Sequence, residues 1–322
     1  MLTDLAENGM TALRIVRSAL IADEIRLFDL RRPDGGDLPE FTAGSHIIVR
    51  TPNGLLRKYS LCNAPAERDR YSLAVKREAD GRGGSRSLVD DARVDDELPV
   101  SVPRNSFGLV RSPGGYIFIA GGIGVTPIIS MVRHLTASGS RNFRLLYCTR
   151  RPEATPFREE LSVPELRGRV KIHHDEGDPE GMLDLWPVLE QPKGQHVYCC
   201  GPRSMMQGVR DMTGHWPASA VHFEAFTEPP RNAAADRAFT VRLARSGETI
   251  DVAAGVTILE ALRAKGHVVP SSCESGTCGT CRTRLLGGEP DHRDLVLGDE
   301  ERASDIMICV SRARSSELII DR

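Results

Sequence analysis

Three cysteines in this 322-residue chain, Cys273, Cys278 and Cys281, stand at the spacing C-x₄-C-x₂-C, and a fourth, Cys309, follows far downstream. Four thiolates so spaced are the ligand set of a plant-type 2Fe–2S cluster, a one-electron carrier. A loop wrapped round such a cluster must bring backbone N–H groups close to sulfur, and Gly276 and Gly279 permit that approach. A zinc site and plain buried thiols are the competing readings. Zinc more often takes two C-x₂-C pairs or mixed Cys/His ligands, and neither pattern occurs here. The other four cysteines, Cys62, Cys148, Cys199 and Cys200, are scattered and read as small buried hydrophobes. No disulfide framework is implied, so a reducing compartment, the cytoplasm, is expected.

A second set of residues could hold phosphate. Gly121, Gly122, Ile123, Gly124, Val125, Thr126 and Pro127 follow a predicted strand and lead into a predicted helix. Small residues there let the backbone approach a pyrophosphate lying on the positive helix N-terminus, and Pro127 suits the first turn. A tight strand-to-helix turn also needs glycine for structure alone, and this is not the G-x-G-x-x-G fingerprint. The βαβ context strengthens the ligand reading, as does a second turn of Cys199, Cys200, Gly201 and Pro202. Two such turns at the C-terminal ends of parallel strands flank one crevice. Further upstream, Arg57, Lys58, Tyr59 and Ser60 open a strand, and Gly81, Arg82, Gly83, Gly84, Ser85, Arg86 and Ser87 precede a short helix. Glycine N–H groups and serine hydroxyls at a helix start make a phosphate site, with Arg57 as a clamp and Lys76 and Arg82 adding charge. A flexible basic loop is the plainer alternative.

These groups must be positioned by several domains. Short alternating runs at 13–16, 25–30, 46–50, 59–61, 71–76 and 98–102 predict an antiparallel barrel with one helix at 87–91. Strands at 116–120, 143–148, 170–174, 196–200 and 220–226 alternate with helices at 127–137, 157–161 and 203–212, which predicts a mostly parallel α/β sheet. A polar Pro/Ala-rich stretch then reads as an exposed linker. Strands at 239–243 and 248–252 form a hairpin about Ser246 and Gly247. Thr257 and Glu260 make a capping box for a helix that stops near Gly266. The expected domains are therefore 1–110, 111–226 and 239–322, with the linker at 227–238.

Composition narrows the function classes. The chain is 40% hydrophobic and 27% charged with a formal net charge of −2, which offers no basic excess for nucleic acid. No apolar run is long enough to span a bilayer, so no membrane association is expected. Residues 1–11 carry acidic groups and no basic n-region, against a secretory signal. Between the third and fourth clustered cysteines, Glu289, Asp291, Asp294, Asp299, Glu300, Glu301 and Asp305 face only Arg293 and Arg302. That run is either a solvated surface or a docking face for a basic electron acceptor.

The motifs R-K-Y-S-L-C-N (57–63), A-V-K-R (74–77), G-R-G-G-S (81–85), G-G-I-G-V-T-P (121–127), Y-C-C-G-P (198–202), H-F-E-A-F (222–226) and S-S-C-E-S-G-T-C-G-T-C (271–281) together resemble the phthalate dioxygenase reductase family. These are single-chain reductases that serve Rieske non-haem iron oxygenases, and the resemblance covers nearly the whole chain. It implies a flavin-binding β-barrel, a nucleotide-binding α/β domain and a C-terminal β-grasp ferredoxin. It implies FMN as the flavin, NADH as the donor, a Rieske oxygenase component as the partner, and a monomer. Arg57, Lys58, Tyr59 and Ser60 would lie along the flavin, Ala74, Val75 and Lys76 on its ring and ribityl edge, and Arg82, Gly83, Gly84 and Ser85 round its phosphate. Gly122, Gly124, Cys200, Gly201 and Pro202 would border the nucleotide. Thr126 would sit where flavin and nicotinamide meet, and Phe226 would stack on the flavin and yield to the nicotinamide. Ser272 would lie between flavin and iron, with Cys273, Cys278, Cys281 and Cys309 as the ligands. Two positions depart from the pattern. Lys58 replaces a smaller polar residue, and Arg151 stands where an acidic residue would meet the NADH ribose, so that NADPH becomes possible. A reductase for a cytochrome P450 and a redox-sensing ferredoxin-like binding protein are the other functions compatible with these motifs.

Overall fold

The computed structural model describes residues 9–226 and 236–322. The chain divides into two compact units, Met1–Met205 and Met206–Arg322. Most of the expected linker, and residues 1–8 of the segment read for a leader, lie outside the described residues.

The first unit begins with β1 (Met10–Ala22), β2 (Ile25–Arg31), β3 (His46–Arg50), β4 (Leu56–Ser60), β5 (Tyr71–Lys76), α1 (Gly84–Asp91) and β6 (Glu97–Ser101). The strands form one antiparallel sheet in the order β4-β3-β6-β1-β2-β5. Alternate residues of the strands, among them Leu13, Ile15, Phe28, Ile47, Val49, Leu73 and Val100, turn inward to a single core. A six-stranded sheet lining one core must curl upon itself, the barrel form expected from the period-2 pattern. Two boundaries differ from expectation for physical reasons. β1 runs far beyond 13–16 because register shifts after Ile15 and Leu20 interrupt its alternation. β4 starts at Leu56 rather than 59 because it is a sheet-edge strand, where charged Arg57 and Lys58 are tolerated.

The unit continues with β7 (Tyr116–Gly121), α2 (Val125–Ala137), β8 (Phe143–Thr149), β9 (Val170–His174) and β10 (His196–Cys200). Pairing is parallel throughout, in the order β10-β7-β8-β9. The chain thus builds outward from β7 to β9 and then returns to the other side of β7. That reversal leaves a crevice beyond the carboxyl ends of β7 and β10, where both glycine turns lie. An apolar cluster joins this sheet to the barrel, running from Leu27, Cys62 and Ala74 to Ile128, Met131 and Tyr147.

The second unit holds β11 (Val221–Glu224), β12 (Phe239–Leu243), β13 (Thr249–Val252), α3 (Ile258–Ala264), β14 (Arg282–Gly287), β15 (Pro290–Asp291), β16 (Asp305–Met307), β17 (Arg312–Ala313) and β18 (Glu317–Ile320). Its main sheet has the order β13-β12-β18-β14-β16, with β12 and β18 parallel. The buried face of α3 (Ile258, Leu259, Leu262) packs into the core of this sheet. The capping box forms as expected: Thr257 Oγ1 accepts from the Glu260 N–H (3.1 Å), and Glu260 accepts from the Thr257 N–H (2.8 Å). Gly266, past the helix end, takes φ +86°. Among the described residues no helix is long and apolar enough to cross a membrane.

Candidate functional site

β4 and α1 bring the basic residues of the first unit together. The Arg57 guanidinium donates to the carbonyls of Leu56 (2.8 Å) and Arg82 (3.2 Å). Its side chain lies directly over Gly84, where a Cβ would come within 2.5 Å of Nε. Gly83 caps α1 in the left-handed conformation (φ +83°) and offers no side chain to the first helical N–H groups. An uncapped helix start beneath an arginine is a cradle for an anionic group. Ser85 Oγ instead accepts from the Glu78 N–H (3.2 Å), which folds the glycine loop back on β5. Ala74 and Val75 are buried, whereas Lys76 is exposed and paired with Glu78 (2.7 Å). Lys58 is exposed and Ser60 buried. The Tyr59 hydroxyl is buried without a hydrogen-bond partner, and burial pushes it up to about 12. A shielded phenol O–H with nothing to bond is costly unless a ligand atom meets it. These features fit a flavin phosphate and its attached ribityl chain.

The two glycine turns touch each other. A Cβ on Gly124 would land on the Cys200 carbonyl, 2.5 Å from its carbon and 2.8 Å from the Gly201 nitrogen. A Cβ on Gly121 would lie 2.5 Å from Pro202 Cδ, and one on Gly201 3.0 Å from Gly121 Cα. Gly121, Gly124 and Gly201 therefore serve the packing of strand ends, the structural role that any tight turn demands. Gly122 differs: it has φ +51° and open space within 4 Å. Of these four glycines it alone leaves the backbone unobstructed. α2 follows with no side-chain cap. Thr126 is buried and donates to the Ile123 carbonyl (3.0 Å), so its hydroxyl stabilises the turn.

In the second unit the four cysteines fall into two pairs. The Cys278 thiol bonds to Cys273 and draws it well down, to about 4, with Thr277 and Ser275 assisting, while Cys278 itself is raised. Cys309 bonds in the same sense to Cys281, lowering that thiol and being raised in turn. Metal binding would displace the thiol protons of all four. Two dithiol pairs are what two irons of a binuclear cluster require. Among the described residues no three His, Cys, Asp or Glu side chains gather as a single-ion site. Backbone N–H groups of Ser275 and Thr277 donate to Cys273 Sγ, and that of Cys273 to Cys278 Sγ, all at 3.4 Å. Gly276 and Gly279 have φ +77° and +81°, the conformations that turn these amides inward.

Other expected site residues are placed differently. Arg151 is held by Asp23 at 3.3 Å, both largely exposed. Phe226, just past β11, is 46% exposed, and Ser272 is exposed beside Cys273. The acidic run faces more than Arg293 and Arg302: Arg282, outside it, pairs with Glu301 (2.6 Å) and Asp305 (2.9 Å), and Asp294 is buried. Asp299 and Glu300 remain exposed. Sequence reading missed Ser130 and Arg133 of α2, although their spacing from Thr126 puts all three on one helix face.

Two family models match the chain: an oxidoreductase NAD-binding domain over residues 118–211 and a 2Fe-2S iron-sulfur cluster binding domain over 241–314. The chain is 53% identical to phthalate dioxygenase reductase of Burkholderia cepacia over 98% of both sequences. A solved phthalate dioxygenase reductase, described as a modular structure for electron transfer from pyridine nucleotides to 2Fe-2S, is 52% identical, with a TM-score of 0.72 and 99% coverage of both chains. A solved type IV self-sufficient cytochrome P450 monooxygenase is 36% identical with a TM-score of 0.72, matching 97% of this chain and 41% of that one.

Proposed function

Since the chain belongs to the phthalate dioxygenase reductase family, we propose that it carries electrons from NADH through FMN and a 2Fe–2S cluster to a Rieske-type oxygenase acting on a phthalate-like aromatic substrate. The observation that carries this reading is the presence, in one chain, of an uncapped arginine-covered helix start, an open glycine at a strand switch point, and two paired dithiols.

FMN, when bound, would turn a two-electron donor into single electrons that the cluster can accept. The protein's part is holding and shielding. Arg57, Arg82 and the start of α1 hold the flavin phosphate, and the Tyr59 hydroxyl meets the ribityl chain. Ala74 and Val75 give the ring an apolar seat beside Lys76. Gly122 admits the dinucleotide backbone to the α2 N-terminus, and Thr126 keeps that turn closed against the flavin edge. Phe226, half exposed just past β11, is the residue that would yield to the nicotinamide on this reading. Cys273, Cys278, Cys281 and Cys309 would hold the cluster, with exposed Ser272 beside the first of them. No side chain need act as acid, base or nucleophile. The protein works as a monomer in the cytoplasm on this reading.

Anaerobic addition of NADH to the holoprotein tests it. Loss of both flavin and iron–sulfur absorbance, with FMN released on denaturation, is the expected result. Bleaching by NADPH alone, or a released flavin other than FMN, would overturn the cofactor assignment. The likeness to 41% of a self-sufficient cytochrome P450 monooxygenase favours a second acceptor class, a P450. Turnover of a P450, and of no Rieske oxygenase, would decide for it.

A further inference from the structure

We propose that Ser130 and Arg133 are positioning residues that set the spacing between the flavin strand and the nucleotide turn, an inference resting on the function proposed above. Thr126, Ser130 and Arg133 recur at i, i+4 and i+7 on α2, one face of the helix. Thr126 closes the nucleotide turn at the start of that face. Further along it, Ser130 Oγ donates to the Asn63 carbonyl at 2.8 Å, and Arg133 Nη1 donates to the Cys62 carbonyl at 2.7 Å. Cys62 and Asn63 lie two and three residues beyond Ser60, the last residue of β4. One helix face is thus tied at two points to the segment that leaves the flavin strand.

The tie is built to be stiff. Ser130, Cys62 and Asn63 are fully buried. The Asn63 side chain is itself fixed, donating to the carbonyls of Glu67 (3.1 Å) and Arg70 (2.9 Å) and accepting from the Ser72 N–H (3.0 Å). Arg133 is held from behind by a two-pronged bond to Glu160 (2.8 and 2.6 Å) and lies over the Phe157 ring, 5.3 Å from its centroid. Phe157 takes φ +60°, a conformation that side chains with a Cβ seldom adopt, to place that ring. Since α2 rises about 1.5 Å per residue, one helical step of slippage would move Thr126 by that distance relative to Ser60. A misplacement of about 1 Å between reacting groups can cost on the order of 10²-fold in rate.

The test is stopped-flow reduction of the FMN-loaded holoprotein by NADH, with Ser130→Ala, Arg133→Met and Arg133→Lys beside wild type. Fluorescence titration of FMN and the cluster's visible spectrum are recorded for each. Flavin reduction is expected to slow tenfold or more in Ser130→Ala and Arg133→Met, with weakening of the long-wavelength NADH–flavin charge-transfer band. FMN affinity and cluster spectrum should stay within twofold of wild type, and Arg133→Lys, which keeps a donor for the Cys62 carbonyl, should recover most of the rate. Rates within twofold of wild type would overturn the proposal. So would loss of FMN in Ser130→Ala together with Arg133→Lys, which would make the contacts a plain support of the flavin site. Failure of wild type itself to be reduced by NADH would strike the proposed function instead, so the two failures are separable.

Discussion

Replacing Gly124 by alanine puts a methyl carbon 2.5 Å from the Cys200 carbonyl carbon and 2.8 Å from the Gly201 nitrogen, both backbone atoms. The Cys200 carbonyl oxygen is nearer still and contacts below 3.0 Å are not tolerated, so the two turns must part by more than 3.0 − 2.5 = 0.5 Å. They cannot part freely, because β7 and β10 are hydrogen-bonded neighbours up to the pair Ala120 and Cys200. Overpacking of this kind costs about 1–3 kcal/mol. For a folded unit of some 200 residues that is a fall in Tm of roughly 2–4 °C per kcal/mol. Gly122→Ala is the contrasting change. Nothing lies within 4 Å of its added methyl, and the φ of +51° costs only about 1–2 kcal/mol. On the proposed reading its methyl instead occupies space that the dinucleotide would take. Scanning calorimetry and NADH saturation kinetics on both variants should therefore separate: Gly124→Ala loses stability first, whereas Gly122→Ala raises the KM for NADH by tenfold or more with a smaller loss in Tm. A Gly124→Ala protein with wild-type Tm would refute the packing argument. A Gly122→Ala protein with wild-type KM would refute the assignment of the open glycine to nucleotide binding.

Four further outcomes follow from the same structure. Cys309→Ser should abolish the iron–sulfur absorbance while NADH still bleaches the flavin, which a visible-range titration reads directly. His46 is held neutral down to about 4, by burial first and then by Lys58 and Arg104. Its unfolded form takes up a proton near 6.5, so stability is full above that pH and is lost as pH falls through the window to about 4. A total of about 3 kcal/mol is at stake, measured as a urea-unfolding slope that His46→Gln flattens between pH 6.5 and 4.5. Thr257→Ala removes the capping box of α3 and should cost about 1 kcal/mol in the second unit, seen as earlier loss of the cluster spectrum in denaturant. The exposed Asp23–Arg151 pair contributes about 0–1 kcal/mol at most. Arg151→Ala should accordingly leave stability and NADH kcat/KM within about twofold and lower any NADPH activity at least tenfold, as a nucleotide comparison will show.

The strands at 46–50 and 71–76 were legible to the residue as short apolar runs between turn residues, although 71–76 is buried on both faces: Tyr71, Leu73 and Val75 line the barrel core and Ala74 packs in the cluster that joins the barrel to the α/β sheet. The strands of the ferredoxin unit after Cys281 were not. β14 carries Arg282 and Arg284 and has a register shift after Leu285, and β16 and β17 are too short to show any period. The cysteine spacing pointed to a 2Fe–2S domain without any knowledge of fold, and the family model over residues 241–314 agrees with that domain. The glycine turns were found but only half understood: tertiary packing, invisible locally, takes up Gly121, Gly124 and Gly201, and only Gly122 stays open. The contacts of Ser130 and Arg133 with Cys62 and Asn63 join positions far apart in the chain, and no local pattern announces a bond to a distant carbonyl.

The second unit's sheet has β18 at its centre, between β12 and β14, although β18 follows the other four strands of that sheet in the chain. On the ribosome, all four ligand cysteines, ending at Cys309, emerge before residues 317–320 do. Until that strand arrives, β12 with β13 and β14 with β16 are two separate ribbons whose inner edges are unpaired, and the thiol pairs hang from a sheet not yet closed. Long-range closure of this sort is slow relative to hairpin formation. The frame that orders the four thiols is therefore complete only once a strand made after all of them has paired, and metal presented earlier would meet thiols without that frame.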